Sequence, residues 1–207
     1  MLSSSFGLVS ELKKDYKAPK NKLLSLEKQG QIIRVVKGLY ETDRSASPLL
    51  LSSAIYGPSY ISFESALSYW GLIPEKVTAI TAATFGKNKT KCFDSTYGTF
   101  LYRDIPSQAF PYEVYIKNEG SHSFLIAGKE KCLCDTLWRE SSLGSEKRLK
   151  EYLFENLRIE EDDFYSADFS IIFDLCDLYK SANLRILKKM AQKRMGGKND
   201  DTSSADA

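Results

Sequence analysis

The sequence predicts an α+β protein with a small N-terminal helical unit followed by a larger mixed unit. Three observations carry this. Apolar residues recur at helical spacing over residues 5–29 and 128–194, but fall in short β-prone runs between residues 77 and 126. Glycines and prolines punctuate the joints between these stretches. Charge is unevenly spread: residues 13–37 hold Lys13, Lys14, Lys17, Lys20, Lys22, Lys28, Arg34 and Lys37 against Asp15 and Glu27, a local +6 in a 207-residue chain of net charge +2.

The first helix is expected from Ser5 to Asp15, with Leu8, Val9, Leu12 and Tyr16 on one side. Lys17-Ala18-Pro19 turns the chain, and Pro19 suits the first position of a second helix running to Gln29. In that helix Leu23, Leu24 and Leu26 are expected to face inward, while Asn21, Ser25 and Lys28 share another face. Gly30 ends it. Ile32 to Val36, Lys37-Gly38 and Leu39-Tyr40 then read as a hairpin. Residues 1–44 form this helix–helix–hairpin unit, and residues 45–60 a connector in which Leu49-Leu50-Leu51 suits the start of a helix.

The stretch from Gly57 to Glu75 is a short helix with clear punctuation. Pro58 precedes it, Ser62 suits the N-cap, and Glu64 sits where the helix dipole favours a carboxylate. Gly71 fits the position just past the end and Pro74 prevents continuation. Tyr60, Phe63, Leu67 and Trp70 are spaced as a core face, and Ser62, Ser65 and Ser68 read as capping or packing residues rather than nucleophiles. Strands follow at Val77–Phe85, Thr96–Arg103, Tyr112–Lys117 and Ser121–Ile126, with Gly86, Gly98 and Gly120 at turns. Helices are expected from Gly128 to Glu140, from a Ser145 cap to Asn156, and from an Asp168 cap to Arg194 with a break near Ser181-Ala182-Asn183. Glu160 to Asp163 reads as a solvated acidic turn, and Lys131 with Asp135 as a helix salt bridge. The unit spans residues 61–195, and residues 196–207 read as a disordered tail.

Composition narrows the function. Apolar residues at 43%, with 12 Tyr and 11 Phe, suffice for a large aromatic core. No run of 18 apolar residues suggests a membrane span, and Met1 to Phe6 lacks the basic and apolar regions of a secretory signal. Cys92, Cys132, Cys134 and Cys176 contain no C-x-x-C pair and His122 is the sole histidine, so buried reduced thiols are expected and no metal site. His122 has no Ser or Cys pattern beside it and reads as a strand residue; no catalytic residue and no cofactor is expected.

The basic block has the chemistry of a DNA-binding surface. Lys17, Lys20, Asn21, Lys22, Ser25 and Lys28 lie on or before the second helix, Arg34 and Lys37 on the hairpin. Lysine and arginine neutralise phosphates and release counterions, and asparagine pairs with an adenine edge. An ordinary solvated face is the alternative.

Three stretches resemble the AbiEi family of antitoxins and transcriptional regulators. They are Gly30-Gln31-Ile32-Ile33-Arg34-Val35-Val36-Lys37-Gly38-Leu39-Tyr40, the Gly57 to Glu75 segment, and Ala127-Gly128-Lys129-Glu130-Lys131-Cys132-Leu133-Cys134-Asp135. They occur in the family's order over residues 6–139; residues 140–207 carry no matching motif. The resemblance implies an N-terminal winged helix-turn-helix followed by a larger mixed α/β domain with a mainly antiparallel sheet and C-terminal helices. It also implies a cytoplasmic antitoxin of an abortive-infection operon, active in phage defence. Such a protein represses its own promoter at operator inverted repeats, with two copies per operator, and counteracts a toxin encoded nearby.

Two other readings stay open. A nucleotidyltransferase-like enzyme needs paired carboxylates near a Gly-Ser, and Asp174 with Asp177 is the nearest pair, although its setting is that of helix-surface acids. An interaction module without DNA binding would use the C-terminal helix, where Arg185, Lys188, Lys189, Lys193, Arg194 and Lys198 accompany Ile186, Leu187 and Met190. The simpler reading of that helix is a docked terminal helix, and no membrane partner is expected.

Overall fold

In the computed structural model, residues 2–120 and 122–200 are described. The chain opens with a short strand β1 (Ser3–Ser4), then α1 (Ser5–Leu12), α2 (Pro19–Lys28) and the hairpin β2 (Ile33–Val36) and β3 (Leu39–Glu41). The three strands form an antiparallel sheet in the order β1-β3-β2. Helix α1 is capped by the Ser4 hydroxyl, which accepts from the Gly7 N–H, and α2 has Pro19 in its first turn, where a missing N–H costs nothing. Gly38, at φ +89°, supplies the left-handed residue of the two-residue Lys37-Gly38 turn. Leu23, Ile32 and Tyr40 form a small core with Leu8, Val9, Leu12 and Leu26.

Residues 45–60 contain helix α3 (Pro48–Ile55), and the two-residue strand β4 (Tyr60–Ile61) begins at their end. Beyond them come α4 (Phe63–Tyr69), β5 (Ala79–Thr84), β6 (Lys91–Ser95), β7 (Gly98–Asp104), β8 (Val114–Glu119) and β9 (His122–Ala127). Strands β4 to β9 make one six-stranded sheet in the order β6-β7-β5-β4-β9-β8. This sheet is mixed: β5 with β7 and β4 with β9 are parallel, and the other three pairings antiparallel. Two strands of this sheet escape the sequence pattern, as does β1 in the N-terminal unit. β4 is only two residues long, and β6 reads Lys-Cys-Phe-Asp-Ser at the sheet edge, where little is buried.

The sheet divides two cores. On one face Leu51 of α3 packs with Ala82, Phe100 and Tyr102, and Val35 of β2 joins them. A bulge between Arg34 and Val36 interrupts the hairpin register at that residue. The Tyr102 hydroxyl donates to the Ser52 carbonyl at 2.7 Å, and burial pushes its pKa up to about 12. The N-terminal unit and the larger sheet thus share apolar contacts through α3.

The other face holds the main core and α4. Helix α4 ends as its sequence dictates. Gly71 adopts φ +71°, its N–H reaches the Ser68 carbonyl at 3.0 Å, and the Leu72 N–H reaches the Leu67 carbonyl at 2.8 Å, closing the helix end. Gly71→Ala finds open space for its methyl but must hold a left-handed conformation, so a loss of about 1 kcal/mol is expected in urea unfolding.

The N-terminus of α4 corrects the expectation for Ser62. Its backbone occupies the cap position, but its hydroxyl makes no cap bond. Instead it donates to Asp135 Oδ2 at 2.6 Å, and the Ser65 N–H is met by Thr81 Oγ1 at 2.9 Å. The cap is borrowed from the neighbouring strand, which frees Ser62 for the core.

Asp135 lies on α5 (Lys129–Arg139). Its Oδ2 accepts from Tyr60 at 3.0 Å as well as from Ser62, and its Oδ1 accepts from Lys131 Nζ at 3.0 Å and Tyr179 at 2.6 Å. Lys131 Nζ also donates to the Tyr179 hydroxyl. The side chains of both Lys131 and Asp135 are 0% exposed, so the expected helix salt bridge is a buried one. Burial, reinforced by the Asp135 charge, raises the Tyr60 and Tyr179 hydroxyl pKa values well above the ordinary tyrosine range. Trp70 Nε1 donates to the Ala127 carbonyl at 2.8 Å, a second link between the α4 segment and the approach to α5.

The last third is helical: α6 (Glu146–Glu151) continuing into a π-helical turn (Tyr152–Asn156), then α7 (Glu161–Tyr165), α8 (Phe169–Cys176) and α9 (Ala182–Asp200). Ser145 accepts from the Arg148 N–H, and Asp168 accepts from those of Ser170 and Ile171, so both expected caps form. Asp168→Ala is expected to lower stability by about 1 kcal/mol in urea unfolding. The acidic segment folds into α7, with Glu161, Asp162 and Asp163 in its first turn, where the dipole favours them. The expected break in the long helix falls at residues 177–181. Helix α9 runs through residues 196–200, and the rest of the expected tail, 201–207, lies outside the described residues.

Candidate nucleic-acid interface

Helical periodicity explains how α2 displays its side chains. Leu23 is buried, so the opposite side, carrying Asn21, Leu24, Ser25 and Lys28, points outward, with Lys20 and Lys22 on its two flanks. Lys17, Lys20, Asn21, Lys28, Arg34 and Lys37 are exposed. Lys22 and Ser25 are half-buried: the Lys22 ammonium lies 5.0 Å from the centroid of the Tyr16 ring, and the Ser25 hydroxyl accepts from Gln29 Nε2 at 3.2 Å. Ser25 therefore starts out engaged within the helix.

Leu24 corrects the sequence reading. It is 54% exposed, in the middle of the outward face rather than in the core. Three leucines within four positions cannot all face one way on a helix, and the core of Ile32 and Tyr40 takes the sides of Leu23 and Leu26. An exposed leucine amid Asn21 and Lys28 has the chemistry to touch a thymine methyl group.

The cations of residues 17–37 form no ion pair among the described residues. Their field is therefore directed to solvent, where a polyanion would meet it. The α9 cations are engaged differently. Lys193 pairs with Glu146 at 2.9 Å, Lys188 pairs with Asp177, and the Arg194 guanidinium lies 5.2 Å from the centroid of the Tyr165 ring. Leu184, Leu187, Met190 and Ala191 are buried beneath them, the pattern of a docked helix.

The remaining chemical candidates are dispersed. Asp174 and Asp177 are both exposed on or just after α8. His122 stands at the start of β9, opposite Glu119. Cys132, Cys134 and Cys176 are buried, whereas Cys92 is exposed on β6, against the expectation that all four are buried. Burial raises the Cys132 thiol pKa, and a hydrogen bond with Cys176 followed by burial raises that of Cys134. Among the described residues no three His, Cys, Asp or Glu side chains gather as metal ligands, and no helix is long and apolar enough to cross a membrane. No family model matches the chain, and no curated protein matches it.

Proposed function

We propose that the chain is a DNA-binding transcriptional regulator whose residues 1–44 act as a winged helix-turn-helix. The observation that carries this reading is a set of exposed cations that form no ion pair among the described residues: Lys17, Lys20 and Lys28 on or before α2, and Arg34 and Lys37 on the hairpin. The order of elements supports it: a strand, two helices, then a hairpin that pairs back onto the first strand. In such a unit the second helix enters the major groove and the hairpin lies along the backbone. Asn21 and Leu24 would meet base edges, and the cations would hold phosphates. The resemblance to AbiEi-type proteins supports the narrower proposal of a cytoplasmic antitoxin. It would repress its own promoter at inverted repeats, two copies to an operator, and restrain a toxin encoded beside it.

The test is fluorescence anisotropy with duplex DNA from upstream of the gene, titrated across salt concentrations. Five phosphate contacts would give a log–log salt slope of roughly −4 to −5. Absence of a salt-dependent complex would overturn the proposal.

A further inference from the structure

A cavity of about 590 Å³ opens between the loop after β5, the end of β7 and the end of α5. Its size falls in the range that holds a small organic ligand. Lys89, Arg139 and Lys180 line it, all exposed and none with a carboxylate partner among the described residues. The half-buried indole of Trp138 lines it too, 6.4 Å between ring centroids from Tyr179.

Asp104 is the one carboxylate in the lining, and it is committed elsewhere. Its Oδ1 accepts from the Thr84 hydroxyl at 2.6 Å, and its Oδ2 accepts from the backbone N–H groups of Lys87 and Asn88. Those bonds shape the loop that carries Lys89. Two rim residues, Asn88 at φ +53° and Lys180 at φ +45°, hold left-handed backbone conformations that side chains disfavour. Gln108 Nε2 donates to the Leu178 carbonyl at 2.6 Å and ties the loop after β7 to the turn before Lys180. The walls are therefore fastened from two sides, in conformations that local preference alone does not select.

We propose that this cavity binds a mononucleotide, with its aromatic base against Trp138 and its phosphate among Lys89, Arg139 and Lys180. An anion alone would not use the open part of the Trp138 indole, whose other part packs on the core, and a neutral aromatic alone would not use the three cations. Guanidinium and ammonium groups suit a phosphate, and an indole face suits a planar ring. Tyr179 lies behind the lining, 0% exposed and held in the buried Lys131–Asp135 network, so the cavity floor rests on the core.

Isothermal titration calorimetry of the full chain with AMP, GMP, CMP and UMP tests this, with adenosine and inorganic phosphate as separate arms. At least one mononucleotide is expected to bind in the micromolar range, and adenosine and phosphate each at least about tenfold more weakly. R139Q/K180Q, two exposed changes, is expected to weaken that mononucleotide by about tenfold or more while circular dichroism stays that of the parent. Trp138 fluorescence should be quenched on binding. Failure of all four mononucleotides to bind below millimolar concentration would overturn the proposal. So would inorganic phosphate binding as tightly as the best mononucleotide, or an R139Q/K180Q variant with unchanged affinity. None of these readouts involves DNA, so the outcome is separate from that of the regulator reading.

Discussion

Lys131→Met is expected to cost about 3–5 kcal/mol of folding stability, measured by urea unfolding, because it leaves a carboxylate buried without its cation. The loss is a large share of the roughly 5–15 kcal/mol that holds an ordinary domain together. The environment explains the size. Lys131 and Asp135 are fully enclosed, so water cannot solvate whichever partner remains. Three hydroxyls, from Tyr60, Ser62 and Tyr179, would still donate to Asp135 in the variant and keep part of its charge solvated. Asp135→Ala should be at least as damaging. It strands the ammonium and removes the acceptor for all three hydroxyls, each of which then carries a penalty of about 1–3 kcal/mol. Tyr179→Phe, which deletes a donor to Asp135 and an acceptor for Lys131 but no charge, should cost about 1–3 kcal/mol. A Lys131→Met protein within about 1 kcal/mol of the parent would show that the pair is not held ionised in a dry core.

Reversing three charges with K20E, K22E and R34E is expected to weaken binding to the upstream DNA by on the order of a hundredfold or more at physiological salt. Each change removes an attraction to phosphate and installs a repulsion. Lys20 and Arg34 are exposed, and Lys22 is half-buried against Tyr16, so the fold has little invested in their charges. The unfolding curve of the triple variant is the control, and it should shift little. Replacing Asn21 with alanine should act differently, lowering discrimination between operator and unrelated DNA by about 1–3 kcal/mol while leaving the salt slope nearly unchanged. If the triple variant binds like the parent, the basic face is only a solvated surface.

Much of this architecture was legible where the sequence carries local chemistry. Pro19, Gly38, Gly71, Ser145 and Asp168 act through their own backbone or their nearest neighbours, and each does in the structure what its type predicts. Residues whose roles are set by distant partners were not legible. Ser62 looks like a cap, yet a carboxylate 73 positions away takes its hydroxyl and Thr81 supplies the cap. Strand β6 has the composition of a loop and is a strand only because β7 offers it an edge. For the candidate interface, the charges were visible in the sequence because lysines on a small helical unit have nowhere to go but outward. The placement of Leu24 was not, because it depends on which side of α2 the core of Ile32 and Tyr40 occupies.

The Asp135 cage also has a consequence in time. Its donors come from residues 60, 62, 131 and 179, separated from Asp135 by as many as 75 positions. Contacts of such long sequence separation pay their loop-closure entropy before they return any stability. As the chain leaves the ribosome, Lys131 and Asp135 emerge together on one helix, but Tyr179 follows 44 residues later. Until then the two charges cannot be sealed from water on all sides. The cage around Asp135 therefore closes only after Tyr179 has emerged.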